Sequence, residues 1–134
     1  MKKVVKFGGS SLASAEQFQK VGEIIRADES RVYVVPSAPG KRFSDDTKVT
    51  DMLLHAYDLA SQGKDIAEQM AAIKARYMEI IEGLHLENFS LDEDFAIIEE
   101  QLRNDPQKDY TASFAALTRW DGSFCRRSCA PVCT

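Results

Sequence analysis

The sequence predicts an α/β fold with a mainly parallel sheet. Three observations carry that expectation. A short β-branched and aromatic run, Lys3-Val4-Val5-Lys6-Phe7, ends at Gly8-Gly9 and reads as a buried strand entering a tight turn. Phe18, Val21, Ile24 and Ile25 then recur at helical spacing. Arg31-Val32-Tyr33-Val34-Val35 is a second strand-like run, stopped by Pro36. Strand, glycine turn, helix and strand make a βαβ unit, which implies parallel pairing through a right-handed crossover.

The punctuation between these runs supports the assignment. Ser14 followed by Gln17 reads as a capping box that opens the first helix. Residues 36–48 hold two prolines, a glycine and mostly polar side chains, so they read as a loop just past the carboxyl end of the second strand. In open α/β sheets that edge is where ligands bind. A helix is expected from about Thr50, with Met52, Leu53, Ala56, Leu59 and Ala60 inward, closing at Gly63. Another spans about Asp65 to Glu82 on the stripe Ile66, Met70, Ile73, Tyr77 and Ile81. Ser90 with Glu93 suggests a further capping box. Leu91, Phe95, Ile98 and Leu102 follow as a stripe, and Asn104-Asp105-Pro106 stops it.

Composition excludes several classes. One domain is the natural expectation for 134 residues, and 44% apolar residues suffice for a core. A net charge of −4 argues for no general affinity for nucleic acid. No apolar run approaches the roughly 18 residues that span a bilayer. The apolar start at Val4-Val5 stops at Lys6 and two glycines, too short for a signal peptide. A cytoplasmic protein with no membrane partner is the expectation. His55 and His85 lack a metal-ligand partner at useful spacing and read as structural or surface groups. Asp45-Asp46 reads as solvated loop, Glu99-Glu100 as a solvated helix face, and Met70, Met78 and the aromatic positions as core.

The glycine turn carries the chemistry. Glycines let a backbone approach an anion with no Cβ in the way. The N–H groups of such a turn, and of the helix start behind it, favour negative charge. Ser10 and Ser11 add hydroxyl donors, and Lys6 brings an ammonium to the same strand end. Phosphoryl transfer needs positioning and charge neutralisation, which a lysine beside a glycine turn provides. The spelling is neither the Walker loop nor the dinucleotide fingerprint. Without a ligand the same turn would be an ordinary strand-to-helix connection.

Val5-Lys6-Phe7-Gly8-Gly9-Ser10-Ser11-Leu12 resembles the signature of the aspartate kinases, in the amino-acid kinase superfamily. Val34-Val35-Pro36-Ser37-Ala38-Pro39-Gly40 resembles that family's next strand and Ser-Ala turn, and Thr50-Asp51-Met52-Leu53 its following helix start. The resemblance covers about residues 2–113. It implies a three-layer, carbamate kinase-like fold, of which this chain would be the N-terminal part. It also implies ATP-dependent phosphorylation of the β-carboxylate of L-aspartate to 4-phospho-L-aspartate, with Mg2+ accompanying ATP. By position, Lys6 would neutralise the transferring phosphoryl oxygens, and Phe7, Gly8, Gly9 and Ser10 would hold phosphate. Ser37 and Thr50 would meet the amino acid, and no residue is assigned to metal. Ser37 is otherwise a turn residue, and Thr50 a plain helix N-cap. An acetylglutamate- or carbamate-type kinase is the neighbouring alternative, against which the Lys-Phe-Gly-Gly-Ser-Ser spelling argues. A homo-oligomer, or association of a non-catalytic fragment with a full-length kinase, is the protein partnership expected.

The family pattern ends abruptly. Asp109-Tyr110-Thr111-Ala112-Ser113 fits the first half of a further block, but Phe114-Ala115-Ala116 stands where Arg-Gly-Glu is expected. Residues 114–134 also change vocabulary: they hold Trp120 and all three cysteines, and no Lys, Glu or Ile. Residues 1–113 are therefore expected to be a catalytic-domain portion with little activity alone. Residues 114–134 are expected to be a divergent tail, read in a shifted frame. Cys125, Cys129 and Cys133 recur every four residues, but Pro131 interrupts the helix that would align them and no Cys-x-x-Cys pair exists. Exposed thiols are the better reading than a metal site or a disulfide framework.

Overall fold

A computed structural model describes residues 1–104. The expectations for residues 105–134, including the Pro106 helix stop, the block at 109–113 and the cysteine tail, lie outside those residues. Strand β1 (Lys3–Phe7) leads through a short 3-10 turn (Gly9–Leu12) into helix α1 (Ala15–Arg26), and β2 (Arg31–Pro36) follows. Helices α2 (Val49–Ser61), α3 (Ala67–Gly83) and α4 (Asp92–Asn104) complete the described chain.

The two strands pair in parallel, with Val4 opposite Tyr33, Lys6 opposite Val35 and Phe7 opposite Pro36. A register shift after Lys3 leaves Val32 as the extra residue of a bulge. The turn into β2 is closed by Asp28, whose carboxylate accepts from the Ser30 N–H and hydroxyl at 2.9 and 2.6 Å. Lys3 reaches the same carboxylate at 2.7 Å. The Lys3 and Ser30 hydrogen bonds hold this carboxyl well below the usual range.

Local signals act largely as the sequence predicts. The Ser14 hydroxyl accepts from the Gln17 N–H at 3.4 Å and opens α1. Gly63 sits at φ +71, the left-handed region where a glycine carries no Cβ penalty. Its N–H reaches Ala60 O, and the Lys64 N–H reaches Leu59 O, both at 3.0 Å. These are the paired bonds of a Schellman stop. At α4 the box differs: the Ser90 hydroxyl accepts from the Asp92 N–H rather than from Glu93, so the helix begins one turn position later than a Ser90–Glu93 box requires.

Two cores share α3 as their wall. On one side Val49, Leu53 and Ala56 of α2 meet Met70, Ile73 and Tyr77 of α3 and Phe95 and Ile98 of α4. The Tyr77 and Phe95 rings meet edge to face at 5.7 Å. On the other side Leu12, Phe18 and Val21 pack with Ile80 of α3, and Phe7 and Ile25 lean on them. Gly83 lets α3 approach α1, since a Cβ there would lie 2.5 Å from the Ala15 Cβ.

Three burial expectations need correction. The first strand is expected to be buried, yet Val4 is 69% exposed, and its β2 neighbours Tyr33 and Val35 are about half exposed. Alternation explains it: Phe7 turns toward α1 and α3, while Val4, Tyr33 and Val35 share the opposite face, which no described element covers. Ile24 and Met78 are exposed too, because each lies just off the stripe that its helix buries. Asp46, read as solvated loop, is the third, and its partners belong to the site below.

Candidate anion-binding cleft

The parallel register places the ends of β1 and β2 side by side. The Ser37 N–H donates to Phe7 O at 3.0 Å, extending the ladder one step beyond Pro36. The Gly40 N–H then donates to Gly9 O at 2.8 Å, and the Val49 N–H to Pro39 O at 3.1 Å. These three bonds tie the turn after β1, the loop after β2 and the start of α2 into one frame. It encloses a cleft of about 470 Å3, lined by Gly9, Ser10, Ser37, Ala38, Pro39, Gly40, Lys41, Lys48 and Thr50.

Of the residues expected from sequence, Gly9, Ser10, Ser37 and Thr50 therefore come together. Lys6, Phe7 and Gly8 adjoin the cleft along the chain without lining it. Lys6 is exposed on the strand, on the face opposite Phe7. The Phe7 ring leans on the apolar cluster of α1 and α3, so Phe7 reaches the site only through its carbonyl. Thr50 is the second residue of α2, while Lys48 holds the N-cap position and makes no side-chain cap bond. The N–H groups of a first helical turn have no partner within their own helix; here Val49 donates to Pro39 O, and Thr50 beside it lines the cleft.

Two lysines were missed. Lys41 and Lys48 both line the cleft, and the signal available was their place in the loop at the carboxyl edge of β2. Two lysines, three hydroxyl residues (Ser10, Ser37 and Thr50) and the start of α2 make up a lining whose chemistry suits negative charge, with the Lys41 ammonium donating to Ser44 O at 3.3 Å. Among the described residues the lining holds no Asp or Glu.

The glycines differ in what they do. A Cβ on Gly40 would lie 2.6 Å from the Gly9 carbonyl carbon and 2.9 Å from Ser10 N. A Cβ on Gly9 would meet Ala38 O at 3.0 Å. Both therefore allow one backbone to lie directly on the other. Gly8 has φ −75 and ψ 171, ordinary extended values, and nothing within 4 Å of a built Cβ. Nothing in the chain's own packing requires glycine there.

Beside the cleft-lining loop lies a charged cluster built on Asp46, which the sequence suggests is solvated. The Asp46 side chain is only 9% exposed and the Arg76 side chain 5%. Arg42 grips Asp46 with two parallel bonds, Nε to Oδ2 at 2.7 Å and a terminal nitrogen to Oδ1 at 3.1 Å. Its other terminal nitrogen reaches Glu79 on α3 at 2.7 Å. The Arg42 bond, joined by the Arg76 charge, holds the Asp46 carboxyl well below its usual range. Burial pulls Arg76 down from its ordinary value.

The model of the amino acid kinase family matches residues 1–118. Aspartokinase 3 of Bacillus subtilis (strain 168) is 46% identical over 84 residues, which are 63% of this chain and 18% of that protein. The crystal structure of Clostridium acetobutylicum aspartate kinase superposes with a TM-score of 0.79 at 33% identity, over 93% of this chain and 28% of that one. Escherichia coli aspartokinase III, solved in complex with aspartate and ADP, gives a TM-score of 0.75 at 20% identity, over 98% of this chain and 28% of that one. That likeness shows the shared fold. The matches thus span only 18% to 28% of the length of these relatives. Matched by that family's model over residues 1–118, the chain belongs to the amino acid kinase family.

Proposed function

We propose that this chain supplies the phosphate-binding portion of an aspartate kinase, which transfers the γ-phosphoryl of ATP to the β-carboxylate of L-aspartate. The observation that carries the reading is the frame of hydrogen bonds that brings Gly9, Ser10, Ser37 and Thr50 to one cleft. The resemblance to aspartokinases over the same residues, one of them solved with aspartate and ADP, supports it.

In this reading a β-carboxylate oxygen attacks the γ-phosphorus, and the bond from that phosphorus to the ADP oxygen breaks. Charge gathers on the transferring oxygens, so the chain's work is to position and neutralise them. Lys6, exposed at the end of β1, neutralises those oxygens. The backbone N–H groups at Gly8, Gly9 and Ser10 hold phosphate, and the open space beside Gly8 admits it. Ser37 and Thr50 meet the amino acid, and Lys41 and Lys48 add positive charge to the rim. Mg2+ prefers carboxylates together with phosphate oxygens. Among the described residues the cleft lining carries none of the former, and in this reading Mg2+ accompanies the ATP.

Turnover by the chain alone is expected to be low, and binding is the direct test. Calorimetric titration with ADP and Mg2+ should give saturable binding that Lys6→Ala weakens. Absence of binding, or binding indifferent to Lys6, refutes the reading. Formation of an acyl hydroxamate from aspartate, ATP and hydroxylamine reports turnover. The exposed apolar face of Val4, Tyr33 and Val35 favours a second role, association with an intact kinase subunit through an uncovered sheet. Co-purification with such a subunit tests it.

A further inference from the structure

We infer that Arg76 is a positioning residue for the anion cleft, acting through the loop rather than on the ligand. Its side chain comes from the middle of α3 and is 5% exposed. One terminal nitrogen donates to Gly40 O at 2.8 Å. The other donates to Thr47 O at 2.9 Å and lies 3.3 Å from Asp46 Oδ2. The guanidinium thus holds both ends of the segment 40–47 at once. A planar fork with fixed donor directions suits this task, and a lysine's single ammonium does not.

The clamp bears on the cleft by short steps. Gly40, whose carbonyl Arg76 holds, donates its own N–H to Gly9 O. Thr47 precedes Lys48 and Thr50, which line the cleft. Arg42 adds a second tether, joining Asp46 to Glu79 of the same helix. Two arginines therefore pin the loop to α3, and the loop in turn braces the turn after β1.

A stability role alone explains Arg76 poorly. Its Nε is buried and has no hydrogen-bond partner among the described residues, which costs free energy. Buried ion pairs commonly give no advantage over well-packed apolar side chains. What the guanidinium does secure is a single loop geometry, with four cleft-lining residues at positions 39, 40, 41 and 48 in or beside the clamped segment.

The inference rests on the phosphate-binding reading for its consequence, but the clamp is tested separately. In the full chain, Arg76→Met keeps the apolar stem and removes the two carbonyl bonds. Amide hydrogen exchange should then quicken at least about tenfold at Gly40 and Val49, as expected for losing charge-assisted bonds. The Leu53 and Ile73 amides in the helix interiors should keep their protection. Affinity for ADP with Mg2+ should fall by a similar factor, and Arg76→Lys should recover only part of it. Unchanged exchange at Gly40 and Val49 overturns the clamp. So does protection lost evenly through α2 and α3, which would mark Arg76 as a general stability residue. If the unsubstituted chain does not bind ADP, the functional reading fails while the exchange result still decides the clamp.

Discussion

Gly40→Ala and Gly8→Ala separate packing from ligand binding, because the two glycines have opposite surroundings. A Cβ at Gly40 would stand 2.6 Å from the Gly9 carbonyl carbon and 2.9 Å from both Gly9 O and Ser10 N. Carbon atoms prefer roughly 3.5–4.0 Å, so the two backbones must part by about 1 Å. The obstructing atoms are main chain and cannot swing aside. Overpacking of this kind costs about 1–3 kcal/mol. The 2.8 Å bond from the Gly40 N–H to Gly9 O is stretched or lost, at a further cost of about 0.5–1.5 kcal/mol. The stiffer unfolded chain returns about 0.4–1 kcal/mol. A net loss on the order of 2–3 kcal/mol follows, worth roughly 8–20 °C in Tm for a domain of this size. Gly8→Ala meets nothing within 4 Å at a φ that alanine adopts freely. It should leave Tm unchanged or raise it slightly. If the space beside Gly8 receives phosphate, the same methyl should weaken ADP affinity about tenfold or more by steric exclusion. Thermal melts and calorimetric titration of the two variants provide the comparison. A Gly40→Ala chain that melts like the parent would refute the packing argument. A Gly8→Ala chain that binds ADP like the parent would refute the placement of phosphate.

Other outcomes are equally specific. Lys6 is exposed, so Lys6→Ala should shift stability by no more than about 0.5 kcal/mol, while nucleotide affinity falls about tenfold or more through loss of a charge-assisted bond; a large drop in Tm would contradict this. Asp46 has its carboxyl depressed in the folded state, so its stabilising effect is present above the ordinary aspartate pKa of about 3.9 and is lost as pH falls toward the folded value. Asp46→Asn should therefore lower stability at neutral pH and flatten the acid side of a Tm-against-pH curve, though Asp28, also depressed, keeps part of that slope. Ile73 is 1% exposed between α2, α3 and α4, so Ile73→Ala should cost about 2–5 kcal/mol in denaturant titration, and a loss under 1 kcal/mol would mean this core is loosely packed.

Much of the local structure was written in short-range patterns. Gly63 ends α2 because a left-handed position favours glycine wherever it occurs in a fold. Ser14 opens α1 because its hydroxyl reaches a backbone N–H three residues on. The stripe Ile66, Met70, Ile73, Tyr77 and Ile81 is legible because a helix repeats every 3.6 residues. The strand runs were legible too, though not which face would be covered. Val4 and Val5 look alike in sequence, and only the packing of α1 and α3 on one side of the sheet distinguishes them.

For the candidate site the division is sharper. The turn Gly8-Gly9-Ser10-Ser11 after Lys6 was visible at once, since adjacent residues suffice to suggest an anion-binding backbone. By itself the sequence thus determined the family, the βαβ unit and the glycine turn proposed to bind phosphate. Only the tertiary structure decided that Lys41 and Lys48 join that turn, that Gly40 rather than Gly8 is demanded by packing, and that the Asp46 side chain is only 9% exposed. The reason is distance along the chain. The bonds that make these decisions run from Gly9 to Gly40 and from Arg76 to Gly40 and Thr47. Pairs separated by about thirty residues leave no period or motif to read, because nothing local constrains either partner. The turn after β1 is a local object, whereas the cleft it helps to form exists only where three distant segments meet.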